Sequence, residues 1–181
     1  MEVRWRLEYH KAMNVKLESS RLVLREIDTS QDDLVRYLGW LQDTQSNPFI
    51  QSARTDYSME ELVSFVNSTN SDDKALLLGL FLKKDNQFIG TLKVQPIDYS
   101  ARTAWLGIMI GNRKFRGLGY GLEALEIVIG HLFSSLDLLE VHLGVDLQNL
   151  GAISLYKKLG FREYKINTNN MLMLKKKTNE L

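Results

Sequence analysis

Gly111-Asn-Arg-Lys-Phe-Arg-Gly-Leu-Gly-Tyr-Gly121 is the stretch on which the fold of this chain turns. Before it lies the apolar run Trp105 to Ile110, which reads as a strand. After it Leu122, Leu125, Ile129 and Leu132 fall on one face of a helix. A glycine-rich turn between strand and helix points backbone N–H groups outward at the positive end of the helix dipole, where a phosphate or pyrophosphate is stabilised. Glycine matters there because a Cβ would keep an anion off the backbone. Arg113, Lys114 and Arg116 add side-chain charge at the same place. Taken alone, the glycines serve equally well as a tight connection with no ligand. Two familiar phosphate loops are excluded. A P-loop needs Gly-Lys followed by Ser or Thr, and here Gly119 is followed by Tyr120 and Gly121 by Leu122. A dinucleotide fingerprint started at Gly117 or Gly119 needs its last glycine where the chain has Leu122 or Ala124.

Arg116-x-x-Gly119-x-Gly121 does resemble the Arg/Gln-x-x-Gly-x-Gly/Ala turn of the GNAT superfamily of N-acetyltransferases. Downstream, Asn149-Leu-Gly-Ala152 and Leu155-Tyr156-Lys-Lys-Leu159-Gly160-Phe161 look like that family's Asn-x-x-Ala and Leu-Tyr-x-x-x-Gly-Phe segment, at the usual distance of one helix and one strand. Upstream, Arg21-Leu-Val-Leu-Arg25 resembles the opening strand of the branch that acetylates ribosomal-protein N-termini, polyamines or amino sugars.

The resemblance implies one α/β (α+β) domain over residues 15–176, with residues 1–14 as an arm of unknown role and 177–181 as a tail. Its sheet would be strongly twisted and mostly antiparallel, with the strands Trp105 to Ile110 and Leu139 to Val145 splayed apart to admit acetyl-CoA. By the same resemblance, Arg116, Gly117, Leu118, Gly119, Tyr120 and Gly121 hold the pyrophosphate. The backbone around Met109 and Ile110 pairs with the pantetheine arm, and Asn149 lies at the cofactor. Tyr156 stands next to the thioester as a proton or hydrogen-bond donor. Independently of any family, Asn149 is a preferred helix cap, and a helical tyrosine such as Tyr156 is at home in a core.

Along the rest of the chain, Leu22, Leu24 and Ile27 mark a half-buried strand, and Asp28, Thr29 and Ser30 supply capping chemistry for a helix carrying Leu34, Tyr37, Leu38 and Leu41. Asn47-Pro48 ends that region. Ser58-Met59-Glu60-Glu61 fits a capping box for a second helix. Leu76 to Leu82 and Phe88 to Ile97 flank a short polar turn as a hairpin. Short strands are expected at Arg162 to Ile166 and Met171 to Lys175.

The general base is the weak point of the family pattern. An amine of pKa ~10.4 is neutral at pH 7 at a cost of ~4.6 kcal/mol, so attack on a thioester needs a route for the proton. By the resemblance, related enzymes often carry a Glu here, in a pattern like Ala-Glu-Leu-Gly, where this chain has Ala104-Trp105-Leu106-Gly107, and Trp105 accepts no proton. A water chain, a less basic acceptor, or His142 or Asp146 stand as replacements. His10 and His131 have no supporting context. Acids at Asp43, Asp56, Glu60 and Glu61, near Trp40, Phe49 and Tyr57, would attract a cationic amine or simply be solvated.

Composition narrows the chemistry further. The 181 residues include no cysteine, which removes disulfides, thiolate metal sites and any thiol-linked acetyl-enzyme. No His/Asp/Glu grouping has metal-ligand spacing. With 23 Lys plus Arg against 22 Asp plus Glu, no general field for nucleic acid or anionic lipid exists. No export signal or membrane span is visible, so the expected location is the cytoplasm. The expected activity is direct acetyl transfer from acetyl-CoA to a primary amine, on a protein N-terminus or a small molecule, with a homodimer left open. A non-catalytic acyl-CoA sensor is the rival expectation, and a nucleic-acid binder, supported only by Arg113, Lys114 and Arg116, the weaker third.

Overall fold

A computed structural model describes residues 15–50 and 55–178. The expected arm 1–14 and the last residues of the tail lie outside the described residues. An eight-stranded sheet runs in the order β1-β2-β3-β4-β5-β6-β8-β7. Its strands are β1 (Lys16–Glu18), β2 (Leu22–Glu26), β3 (Leu76–Leu82), β4 (Phe88–Asp98), β5 (Thr103–Ile110), β6 (Glu140–Asp146), β7 (Arg162–Ile166) and β8 (Asn170–Lys176). Every neighbouring pair is antiparallel except β5 with β6, which is parallel.

Among the described residues four helices cover the sheet: α1 (Leu34–Gln42), α2 (Met59–Asn70), α3 (Tyr120–Ser134) and α4 (Leu150–Lys158). The hydrophobic stripes sort them into two layers. Leu34, Tyr37, Trp40 and Leu41 of α1 and Leu62 and Val66 of α2 pack with Leu77, Phe81, Phe88 and Met109 on one face. On the other face, Ala124, Leu125, Val128, Ile129 and Leu132 of α3 meet Leu78, Leu80, Leu92, Leu106, Val141 and Leu143, joined by Ile153 and Tyr156 of α4. β3 is buried along its whole length, as a strand with helices on both faces requires.

Local chemistry accounts for the helix ends. Ser58 and Glu61 exchange hydrogen bonds with each other's backbone, the expected capping box. The start of α1 differs from expectation. Asp33 caps it, accepting from the Arg36 amide at 2.9 Å, while Asp28 and Ser30 bond to each other in the turn before it. The carboxylate that organises that turn is Asp32. It takes both Nη atoms of Arg25 at 2.6 and 2.7 Å and the Asp28 amide at 2.7 Å. Arg25 also lies over the Phe81 ring, 3.9 Å from its centroid. β7, at the sheet's far edge, is exposed along its whole length, and its register with β8 shifts between Glu163 and Lys165.

Candidate active site

β5 and β6 stay together for only three rungs, Thr103 with Glu140, Ala104 with Val141 and Trp105 with His142. Beyond that, β6 keeps its ladder to β8 as far as Asp146 and β5 keeps its ladder to β4 as far as Ile110. A V-shaped opening is left between two strands whose facing edges have no ladder partner. The Gly111 amide donates to the Ile89 carbonyl at 3.0 Å. Main-chain groups alternate sides along an antiparallel strand, so those of Ile108 and Ile110 point away from β4, into the V. The same alternation turns the amide and carbonyl of Met109 toward Thr91, its partner on β4, and its side chain is buried. This departs from the expectation of a backbone contact at Met109: the main-chain groups free of the β4 ladder are those of Ile108 and Ile110.

Both strands run their C-terminal ends toward the open end of the V, and each leads into a helix. From β5 the chain passes through a 3-10 turn at Arg113–Phe115 and the glycine loop into α3. Gly117 and Gly119 adopt φ of +72° and +84°, the left-handed region that glycine enters without strain. Gly119 caps α3 and has no side chain with which to satisfy its first amides. Among the described residues, none of the six consecutive N–H groups from Gly117 to Leu122 donates to a protein acceptor. Such groups seek an anionic partner or water. Arg116 takes no part in that cradle. Its Nε donates to the Ile110 carbonyl at 2.8 Å, Nη1 to Ser46 O at 2.7 Å, and Nη2 to Asn47 Oδ1 at 2.5 Å and Gly111 O at 3.3 Å, while its own amide donates to Arg113 O. The expectation of an Arg116 charge held out to the phosphate is therefore corrected: the guanidinium fastens the segment after α1 to the end of β5. Burial and the neighbouring Arg113 lower its pKa, and Asp43 opposes them.

Residues 21–162 match the Acetyltransferase (GNAT) domain. The chain belongs to the GNAT acetyltransferase family. It is similar to the uncharacterized N-acetyltransferase p20 of Bacillus licheniformis, 26% identical over 149 residues that span 81% of this chain and 82% of that protein. Spermidine N-acetyltransferase of Vibrio cholerae, solved with CoA and spermine, shares the fold with a TM-score of 0.76 at 21% identity, over 87% of this chain and 96% of that one. Mycobacterium smegmatis RimJ, solved with CoA-disulfide, shares it with a TM-score of 0.73 at 16% identity, over 90% of this chain and 86% of that one.

The GNAT helix on the β6 side begins at Asn149, whose side chain accepts from the Ala152 amide at 3.1 Å, so the capping role holds. Leu155 on α4 and Ile110 on β5 both come within 4 Å of the place a Cβ on Gly121 would occupy. The start of α3, the middle of α4 and the end of β5 thus meet at Gly121. Tyr156, the next residue on α4, is buried against Phe161, ring centroids 5.9 Å apart. Among the described residues its hydroxyl has no hydrogen-bond partner, and burial pushes its pKa up to about 12.

At the last rung before the strands part, Trp105 stacks on His142. The imidazole Nε2 lies 3.3 Å from Glu140, which also holds Lys176, and Tyr164 packs edge-on against the ring at 5.7 Å. His142 Nδ1 is buried and has no partner. Among the described residues no group of His, Asp or Glu is arranged to hold a metal, and no helix is long and apolar enough to cross a membrane.

Sequence reasoning missed two residues here. Asn47 reads locally only as part of a turn, yet it is buried, donates to the Trp40 carbonyl at 2.9 Å and accepts from Arg116. Gly111 is required by Trp40, whose ring would lie 2.0 Å from a Cβ there. Both depend on contacts between distant segments, and no local pattern carries them.

Proposed function

We propose that this GNAT protein binds acetyl-CoA at the mouth of the V and transfers its acetyl group directly to a primary amine. The observation that carries the proposal is the run of unpartnered amides from Gly117 to Leu122 at the open end of two diverging strands. A diphosphate offers several acceptor oxygens and negative charge to such a nest. The outward main-chain groups of Ile108 and Ile110 suit the amides of a pantetheine arm. The CoA-bound state of the spermidine acetyltransferase and of RimJ supports the same reading.

In the transfer, the amine nitrogen attacks the thioester carbonyl carbon, the carbon–sulfur bond breaks, and the thiolate departs. With no cysteine in the chain, a thiol-linked acetyl-enzyme has no carrier. The protein contributes orientation of the two reactants and N–H donors near Ile110 for the developing oxyanion. Magnitudes decide the role of Tyr156. A phenol at about 12 gives its proton fully to a thiolate of reference pKa ~8.5 only at a cost of about 5 kcal/mol. Tyr156 therefore acts as a hydrogen-bond donor to the leaving sulfur. The attacking amine loses its proton through water or toward His142, the titratable side chain in register with Trp105.

Titration calorimetry with acetyl-CoA tests the binding step, and thiol release over a panel of protein N-termini, polyamines, aminoglycosides and amino sugars tests transfer. Absence of acetyl-CoA binding overturns the proposal. A second reading, an acyl-CoA sensor without catalysis, is favoured by Trp105 at the position where related enzymes carry a carboxylate; binding without thiol release over the whole panel would establish it.

A further inference from the structure

We infer that Arg21 and Glu123 form a clamp that holds the glycine loop in its anion-receiving shape, which makes Arg21 a positioning residue for the phosphate end of acetyl-CoA. The inference rests on the acetyl-CoA reading above. Its starting point is that, among the described residues, no hydrogen bond joins one residue of Gly117 to Gly121 to another: two of them have positive φ and the helix cap is a glycine without a side chain. The fixing groups come from the start of β2, about a hundred residues earlier in the chain. Arg21 Nε donates to Glu123 Oε2 at 2.6 Å and Arg21 Nη1 to the Leu118 carbonyl at 3.0 Å. Glu123, in the first turn of α3, also accepts from the Arg21 amide at 2.8 Å and from the hydroxyls of Ser19 at 2.5 Å and Ser20 at 3.0 Å.

The bond to Leu118 has a directional consequence. Across a trans peptide the carbonyl and the following N–H point opposite ways. Drawing the Leu118 carbonyl toward Arg21 aims the Gly119 amide away from it, to the side where the loop is open. The guanidinium also lies over the Tyr120 ring, 4.3 Å from its centroid, and Tyr120 meets Phe115 edge-on at 5.9 Å. Arg21 thus grips the loop at Leu118 and Tyr120 and grips the helix behind it at Glu123. Its charge is matched by the Glu123 carboxylate, so it acts on the cradle's geometry and not as one more cation for the anion.

The test uses full-length protein and the variants Arg21→Met, which keeps the aliphatic stem, and Glu123→Gln. Calorimetry with acetyl-CoA is expected to show about tenfold weaker binding in each, and the double variant to be little worse than either single one because both break the same clamp. Hydrogen exchange is expected to quicken at the amides of Glu123 to Leu125, whose acceptors begin at Gly119, and to stay unchanged in β3 and β4. Unchanged acetyl-CoA affinity in both variants overturns the clamp. So does weaker affinity accompanied by faster exchange throughout the sheet, which would mark general destabilisation. A wild-type protein that binds no acetyl-CoA overturns the parent reading instead, and the clamp's role in it.

Discussion

Trp105 and His142 lie face to face, ring centroids 5.3 Å apart and planes at 24°, on the last rung that joins β5 to β6. Where the family resemblance leads one to expect a carboxylate, this protein has an indole, and the titratable group stands one strand over. His142→Phe keeps the stack and the contact with Tyr164 while removing both nitrogens. If the amine's proton leaves by this route, kcat falls by about 10²-fold with acetyl-CoA affinity unchanged. Stability should change little at the same time, because relief of the buried, unpartnered Nδ1, roughly 1–3 kcal/mol, is offset by loss of the Nε2 contact with Glu140. Steady-state kinetics beside thermal unfolding reads both. Unchanged turnover moves the proton to water.

Tyr156→Phe removes one oxygen from a buried site and little packing. A hydrogen bond to a departing thiolate contributes roughly 1.5–3 kcal/mol, so kcat should drop about 10- to 150-fold with little change in KM for acetyl-CoA. A drop in binding without a drop in kcat would place the phenol in ground-state recognition instead.

Two glycines of the loop region should fail in different ways. Gly111→Ala drives a methyl into the Trp40 ring, so it should cost at least 1–3 kcal/mol of stability. Gly119→Ala forces an L side chain to φ +84° beside the Arg21 guanidinium, for about 1–2 kcal/mol of local strain. The strain falls in the proposed anion cradle. Thermal unfolding should separate the first variant from wild type most clearly, and acetyl-CoA calorimetry the second.

Acid should loosen the loop's anchorage. Burial works to raise the Glu123 pKa, but the hydrogen bonds from Ser19, Arg21 and Ser20 outweigh it and hold the carboxyl at about 2, down from 4.5. A carboxylate whose folded pKa is depressed stabilises the fold fully above its unfolded value, and that contribution is lost as pH falls from about 4.5 toward 2. Glu18, held down at about 2 by Lys16 and Lys83, loses its contribution in the same window. The unfolding temperature measured between pH 6 and pH 3 should therefore fall less steeply in Glu123→Gln than in wild type, with part of the slope remaining.

What was legible in the sequence was local. The capping box at Ser58, the cap at Asn149 and the strand runs Leu76 to Leu82 and Phe88 to Ile97 are written in neighbouring residues, and they stand where expected. The divergence of β5 from β6 came from family resemblance, not from periodicity. The fates of two arginines that bear on the loop were hidden. Arg116 sits inside the motif yet spends its donors on Ser46, Asn47 and the end of β5; Arg21 lies far outside it and holds Leu118. Periodicity registers which face of an element is buried, but not which distant oxygen a guanidinium will reach. The cap of α1 was misplaced for a related reason: Asp28, Ser30, Asp32 and Asp33 all offer capping chemistry, and Arg25 decides among them by engaging Asp32.

The two ends of the sheet carry a consequence for how copies of the protein meet. At one end, β1 is three residues long, with Lys16 and Lys83 both paired to Glu18. At the other, β7 combines Arg162, Glu163 and Lys165 with a break in register. Short, charged or irregular margins are poor templates for another strand, since the newcomer would have to strip water from those charges and match an interrupted ladder. Among the described residues, neither margin therefore favours edge-to-edge growth into fibrils or a continuous intermolecular sheet.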